Sequence, residues 1–197
     1  MLPIYTQTPI EITKEVEALC QQLSPGQRPV FVGVTPIDHC KRGECFGNVA
    51  QQVAIDGGTR VLGWLIQVFP RVLAECEFHA IWRRDDAKLV DITPRIPFHP
   101  GVAAETVGLF LPDPSATYQG QKTSNILYSL ASTPKAKAVA ELSALFKDAF
   151  DAMDWVAADR YRQELVRRRE ALGWTPERRD PCPCGSRQRY GDCHGQG

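Results

Sequence analysis

Near its C-terminus the chain reads Cys182-Pro183-Cys184-Gly185-Ser186, then Arg187-Gln188-Arg189-Tyr190-Gly191-Asp192, then Cys193-His194. No other stretch constrains its own folding as tightly. Three thiols and an imidazole, spaced C-x-C-x8-C-H, stand in a polar tail with almost no apolar residues of its own. Thiolates and imidazole suit zinc, and four such groups complete a tetrahedral shell. Metal binding must therefore supply most of the folding energy of this tail. Four protein ligands leave no position open for water or substrate, so the site reads as structural. Gly185 and Gly191 permit turns beside the ligands.

The stretch 180-DPCPCGSRQRYGDCHG-195 resembles the SEC-C metal-binding motif, known from the C-terminus of the bacterial secretion motor and from many unrelated bacterial proteins. The resemblance places Cys182, Cys184, Cys193 and His194 on that family's zinc positions. Family members often carry Gly-Lys-Lys-Tyr-Lys where this chain has Arg187-Gln188-Arg189-Tyr190-Gly191, so the basic aromatic loop is largely kept. Knuckles of this type commonly serve as contact modules. The resemblance thus implies recruitment of a protein or a ribosome.

The chain has 197 residues, 43% of them hydrophobic, enough for one domain with a small appendage. The formal net charge of zero gives no global case for nucleic acid. Cys20, Cys40, Cys45 and Cys76, the cysteines outside the tail, lack a disulfide-framework spacing. The start, MLPIYTQTPIEITKE, lacks a basic segment followed by an apolar run. No stretch approaches the ~20 apolar residues that span a bilayer. The expected setting is a reducing cytoplasm, with no membrane partner.

Helical spacing of Ile12, Val16, Leu19 and Leu23 predicts a short amphipathic helix over 11–23, ended by Pro25-Gly26. Residues 29–35 read as a buried strand, and a helix is expected from Cys45 to about Ile55, stopped by Asp56-Gly57-Gly58. Strands are expected over 60–69, 75–83 and 87–93, the last two forming a hairpin across Arg84-Asp85-Asp86. Residues 94–125 are rich in Pro, Gly and Ser and hold one short apolar piece, 107–111. Thr133 caps a helix whose first residue is Pro134, with an apolar stripe of Val139, Leu142, Leu145, Phe146 and Phe150. A second helix covers 155–172 and ends at Gly173.

A cysteine, a histidine and an aspartate lie in suggestive settings within this pattern. Cys45 opens the second helix, where free amide N–H groups favour a thiolate and can stabilise an oxyanion. Strand alternation puts Cys76, Phe78, Ala80 and Trp82 on one face of 75–83 and Glu77, His79 and Ile81 on the other. Asp91 stands in the next strand, and hairpin pairing would make it a neighbour of His79. Cys45-Phe46, His79-Ala80-Ile81-Trp82 and Asp91-Ile92-Thr93-Pro94 together resemble the transglutaminase-like branch of the papain-like superfamily, in that family's Cys, His, Asp order. One extra residue, Ile81, separates Ala80 from Trp82, and the interval from Cys45 to His79 is short.

The resemblance implies an α+β fold: a papain-like, transglutaminase-like core with an antiparallel sheet and a cysteine at its helix N-terminus. It implies Cys45 as nucleophile, His79 as general base and acid, and Asp91 as the residue that orients the imidazole. The corresponding function is thiol-dependent hydrolysis or acyl transfer at an amide bond of a protein or peptide substrate, through a thioester. Other roles stay open. Asn48 either lines the pocket or bonds the preceding loop. Trp64 and Trp82 are substrate wall or core. Glu77 meets substrate, orients an imidazole or is solvated. Cys40, beside His39, is a rival nucleophile, or His39, Cys40, Cys45 and His79 hold a second metal.

The expected organisation is a core over 1–130, a helical arm over 133–173 and a zinc knuckle over 178–197. The alternative to an enzyme is a non-catalytic adaptor that binds protein, RNA or the ribosome through the knuckle and an arginine-rich arm, Arg167-Arg168-Arg169 and Arg178-Arg179. Glu164, Glu170, Glu177 and Asp180 dilute that charge, which weakens the case for nucleic acid.

Overall fold

The strands of this protein close on themselves. The computed structural model describes residues 6–95, 104–121 and 123–195. Most of the 94–125 stretch is therefore described, but its segment 96–103 and residue 122 fall outside, as do residues 196 and 197 of the expected knuckle range. In chain order the elements are α1 (Lys14–Leu23), β1 (Val30–Val34), α2 (Cys45–Asp56), β2 (Thr59–Phe69), β3 (Leu73–Arg83), β4 (Leu89–Asp91), β5 (Val107–Pro112), β6 (Ile126–Ser129), α3 (Pro134–Asp151) and α4 (Trp155–Leu172). A short 3₁₀ turn follows at Tyr190–Asp192.

The sheet runs β2-β5-β1-β4-β3-β6, and β2 also pairs with β3. Five strands thus form a closed barrel, and β6 extends the edge of β3. The longest pairing is a hairpin, β2 with β3, in register from Thr59↔Arg83 to Phe69↔Leu73. Its tight turn places Arg71 in the left-handed region, φ 62°. The expected hairpin of 75–83 with 87–93 shrinks to two residue pairs, Trp82↔Val90 and Arg83↔Leu89. β1 and β4 run parallel, so the sheet is mixed. A strand at Ile126–Ser129, which the sequence pattern did not single out, pairs with the start of β3.

These pairings correct the expected architecture. The papain-like and transglutaminase-like core implied by the sequence is an open sandwich, whereas this core is a five-stranded closed barrel with a helical arm and a knuckle. The motifs behind that expectation describe a helix start and two strand segments. None of them specifies which strand edges pair. Closure requires β2 to accept β3 on one edge and β5 on the other. Gly63 makes this possible: a Cβ there would lie 2.1 Å from the Leu111 carbonyl oxygen and 2.7 Å from the Phe110 ring. A small residue at a close approach of strands is the usual role of an interior strand glycine.

Two apolar layers result. Val32, Ile81 and Phe110 pack inside the barrel with Val61 and Leu89. Outside it, α1 and α2 cover a larger core that includes Val16, Leu19, Cys20, Phe46, Val49, Cys76, Phe78 and Ala80. The two faces expected for β3 therefore both bury, one against the helices and one within the barrel. Phe46 stacks on Tyr118 at 3.9 Å and tilts against Phe78 at 5.1 Å. Full burial of side chains such as Phe110 or Ile66 contributes roughly 1.5–3 kcal/mol each.

Local signals set the helix ends. The Thr13 hydroxyl accepts from the Val16 amide to start α1, and the Thr133 hydroxyl accepts from the Ala136 amide to start α3, with Pro134 in its first turn. Gly173, φ 61°, terminates α4 in the left-handed conformation. The α3–α4 hairpin packs Val139, Ala140 and Leu165 on Phe69, Val72 and Leu73 at the end of the β2–β3 hairpin. Among the described residues, no helix is long and apolar enough to cross a membrane.

Candidate metal centre and the cavity at the barrel end

The C-terminal tail folds as a compact loop around its four ligand side chains. The Cys182 amide donates to the Gln188 carbonyl at 2.8 Å, and Tyr190 and Gly191 donate back to Asp180 and Arg178 at 2.8 and 3.0 Å. Gly185, φ 77°, supplies the left-handed residue immediately after Cys184. These bonds bring the sulfurs of Cys182, Cys184 and Cys193 and a ring nitrogen of His194 within 4.8 Å of one another. Cys182 Sγ lies 3.3 Å from His194 Nδ1, and Cys184 Sγ lies 3.4 Å from Cys182 Sγ and 3.7 Å from Cys193 Sγ. A tetrahedral zinc with Zn–S bonds of about 2.3 Å requires sulfur separations of about 3.8 Å. The donor set and its spacing fit: this is a structural Cys3His zinc site, with Nδ1 as the histidine donor.

The thiols differ in their readiness to ionise. Burial pushes Cys182 up to about 11. Cys184 is drawn down to about 6 against its burial, by the Ser186 hydroxyl and amide and by the neighbouring thiols. Zinc needs all three as thiolates, so binding expels protons.

The knuckle is docked on the barrel. Arg71 donates to Asp180 at 2.5 Å and to the Thr175 carbonyl at 2.9 Å, and pairs with Glu177 at 3.3 Å. Gln7 donates to the Pro181 carbonyl at 3.2 Å. The Arg187 guanidinium lies 5.4 Å from the Phe31 ring, and Arg189 pairs with Glu11 at 2.9 Å. Trp174 closes the junction, donating to the Pro70 carbonyl at 3.0 Å with its ring edge on Phe69.

The residues expected to be catalytic lie elsewhere, at one end of the barrel. The face of β2 and β3 that packs inside the barrel turns polar there, at Gln67, Glu77 and His79. With Arg42, Gly43, Cys45, Thr93, Pro94, Arg95 and Glu105, these residues line a cavity of about 430 Å³. His79 Nε2 lies 3.1 Å from Asp91 Oδ2. Asp91 also accepts from the Thr93 amide at 3.0 Å and from Arg95 Nη2. Burial works against a charged His79, but the Asp91 carboxylate, with Cys45 adding to it, outweighs that cost and pushes the ring up to about 9. Burial likewise opposes a charged Asp91, and His79, Arg95 and the Thr93 amide hold it below the usual carboxylate range.

The fold thus gathers Cys45, His79 and Asp91, but not with the geometry of a catalytic triad. Cys45 is 2% exposed. Its sulfur is near enough to favour the charged ring, yet it is not placed to satisfy His79 Nδ1, which is buried without a hydrogen-bond partner among the described residues. Asp91 divides its oxygens among His79, Arg95 and the Thr93 amide rather than serving the imidazole alone.

The other sequence candidates resolve into structural roles. Asn48 bonds the loop before α2, exchanging hydrogen bonds with Lys41 at 2.7 and 2.8 Å, and reaches Thr93 at 3.2 Å. Trp64 donates to Asp113 and Trp82 to the Gly57 carbonyl, each at 3.0 Å, and neither lines the cavity. Cys40 is buried in the core, which raises its pKa. Among the described residues only the knuckle brings three or more ligand groups together, so His39, Cys40, Cys45 and His79 form no second metal site. Sequence reasoning passed over Arg95. Its only signal was a cation four residues after Asp91.

Comparison with known proteins agrees with this division. Residues 178–196 match the SEC-C motif family. No curated protein and no solved structure matches the chain. The match is confined to the knuckle, and the barrel is unlike the papain and transglutaminase fold. The readings of a cysteine hydrolase, a thiol protease and a transglutaminase-like acyl transferase therefore fall.

Proposed function

We propose that this protein is a non-catalytic adaptor that presents a zinc knuckle to a protein partner with an acidic surface. The observation that carries this reading is the Cys3His knuckle, shaped by its metal and fixed to the barrel rather than trailing from it. Such docking presents a defined surface at low entropic cost, which favours recognition. Ser186, Gln188 and Arg189 of the knuckle loop, with Arg178 and Arg179 before it, are exposed.

Charge pairing favours protein over nucleic acid. The arginines of α4 are largely engaged locally: Arg162 with Asp159, and Arg167 and Arg168 with Glu164. The chain carries no net charge with which to drive counterion release from a phosphate backbone.

The test is cross-linking capture in cell extract with zinc-loaded protein, Cys184→Ser protein, and an Arg178→Ser/Arg179→Ser double variant, each with and without nuclease. A defined protein set, captured by the wild type, lost in both variants and insensitive to nuclease, is the expected result. Capture that persists without zinc, or that disappears with nuclease, would overturn the adaptor or its protein partner respectively.

A further inference from the structure

The cavity at the barrel end holds donors that the fold leaves unused. His79 Nδ1 and Arg95 Nε are both buried, both without a hydrogen-bond partner among the described residues, and both belong to side chains that line this cavity. His79 is 2% exposed, and the Arg95 side chain 14%. Buried donors are nearly always paired, because an unmet one costs about 1–3 kcal/mol. Two orphans bordering one cavity therefore point to a missing acceptor.

The surroundings define that acceptor. Gly43 and Cys45 bring the N-terminus of α2 to the same cavity, and the residue that starts the helix, Glu44, places no side-chain oxygen on the first-turn amides. A twelve-residue helix left uncapped in this way presents free N–H groups and the positive end of its dipole. With Nε2 engaged by Asp91 and the ring held in its charged form, Nδ1 carries a proton to donate. Arg42 adds a further positive charge to the lining, while Glu77 and Glu105 oppose it. Those two carboxylates disfavour a dianion such as phosphate and leave a planar monoanion as the better match. A volume of 430 Å³ suits a small organic molecule.

We propose that this cavity binds the carboxylate group of a small molecule, received by His79 Nδ1, Arg95 Nε and the first-turn amides of α2. Binding here is independent of the knuckle and requires no bond to be made or broken.

The experiment is NMR on the zinc-loaded full chain, following the His79 ring ¹⁵N signals and the amides of Cys45, Phe46 and Gly47 during titration with sodium acetate. Sodium chloride at matched ionic strength is the control, and inorganic phosphate is the competitor. Saturable shifts at His79 and at the α2 amides, absent with chloride, are expected. Glu44→Asp keeps the charge but shortens the side chain to one that caps the helix and occupies its amides. In this variant acetate should bind about tenfold more weakly, the effect of one lost hydrogen bond to a charged group. An unchanged amide spectrum elsewhere verifies that the variant is folded. Absence of saturable shifts in the wild type, or undiminished binding in Glu44→Asp, would overturn the site. Tighter binding of phosphate than of acetate would overturn its assignment to a carboxylate.

Discussion

Arg71 Nη1 lies 2.5 Å from Asp180 Oδ2 and ties the turn of the long hairpin to the zinc knuckle, two residues before its first ligand. The same side chain reaches the Thr175 carbonyl and Glu177. Its backbone is left-handed, φ 62°, so Asn, which tolerates that conformation, removes the guanidinium without adding backbone strain. The Arg71→Asn variant should loosen the knuckle by about 1 kcal/mol, the value expected of a partly exposed cluster of this kind. Hydrogen exchange at the Tyr190 and Gly191 amides should then quicken roughly fivefold while barrel amides keep their rates. Equal rates in both proteins would show that Arg71 does not hold the knuckle.

The metal centre makes a spectroscopic prediction. X-ray absorption on zinc-loaded protein should show three sulfurs at about 2.3 Å and one nitrogen at about 2.0–2.1 Å. Replacing Cys193 by Ser should weaken zinc binding about a hundredfold or more and unfold the segment from Asp180 to His194. The barrel should keep its exchange protection, because its core is apolar and independent of the metal. A four-sulfur shell, or one with water, would contradict the Cys3His site.

Barrel closure can be tested at one atom. In Gly63→Ala the new methyl would meet the Leu111 carbonyl oxygen at 2.1 Å, and backbone cannot move aside as a flexible side chain can. A loss of about 2–4 kcal/mol in urea denaturation is expected. A loss under 1 kcal/mol would mean that β2 and β5 do not approach as described.

The His79–Asp91 pair predicts a window of pH. The His79 pKa is raised by folding, so its contribution is complete below the unfolded value of about 6.5 and is lost as pH rises toward about 9. The Asp91 pKa is lowered, so its contribution is complete above an unfolded value of about 3.9 and is lost as pH falls through the folded value. Stability from the pair should therefore peak at about pH 5–6. It should decline by on the order of 3 kcal/mol by about pH 9.5. Denaturation of wild type and His79→Gln across this range checks it: the variant should lack the alkaline decline. A decline equal in both would assign it to other groups.

The helical arm shows how far local signals reach. Thr133, Pro134 and Gly173 act through hydrogen bonds and backbone angles within a few residues, and the arm begins and ends where they stand. The strands show the limit. Apolar runs marked both 60–69 and 75–83 as strands, yet their mutual pairing along eleven residues was missed in favour of a hairpin that proved only two pairs long. A strand-forming apolar pattern is equally satisfied by either partner. The Cys, His and Asp motifs failed for a related reason. Each is a local pattern, and the same three patterns fit an open sandwich or a closed barrel.

The zinc knuckle is legible from its own residues. Its four ligands lie within thirteen residues, 182 to 194, so the metal's own geometry dictates the fold of the loop. The barrel, the docking of the knuckle on Arg71, and the meeting of His79, Arg95 and the α2 N-terminus around one cavity emerge only in the folded chain. These depend on which distant edges and faces approach, and that is settled by packing and closure over the whole chain rather than by any local run of residues.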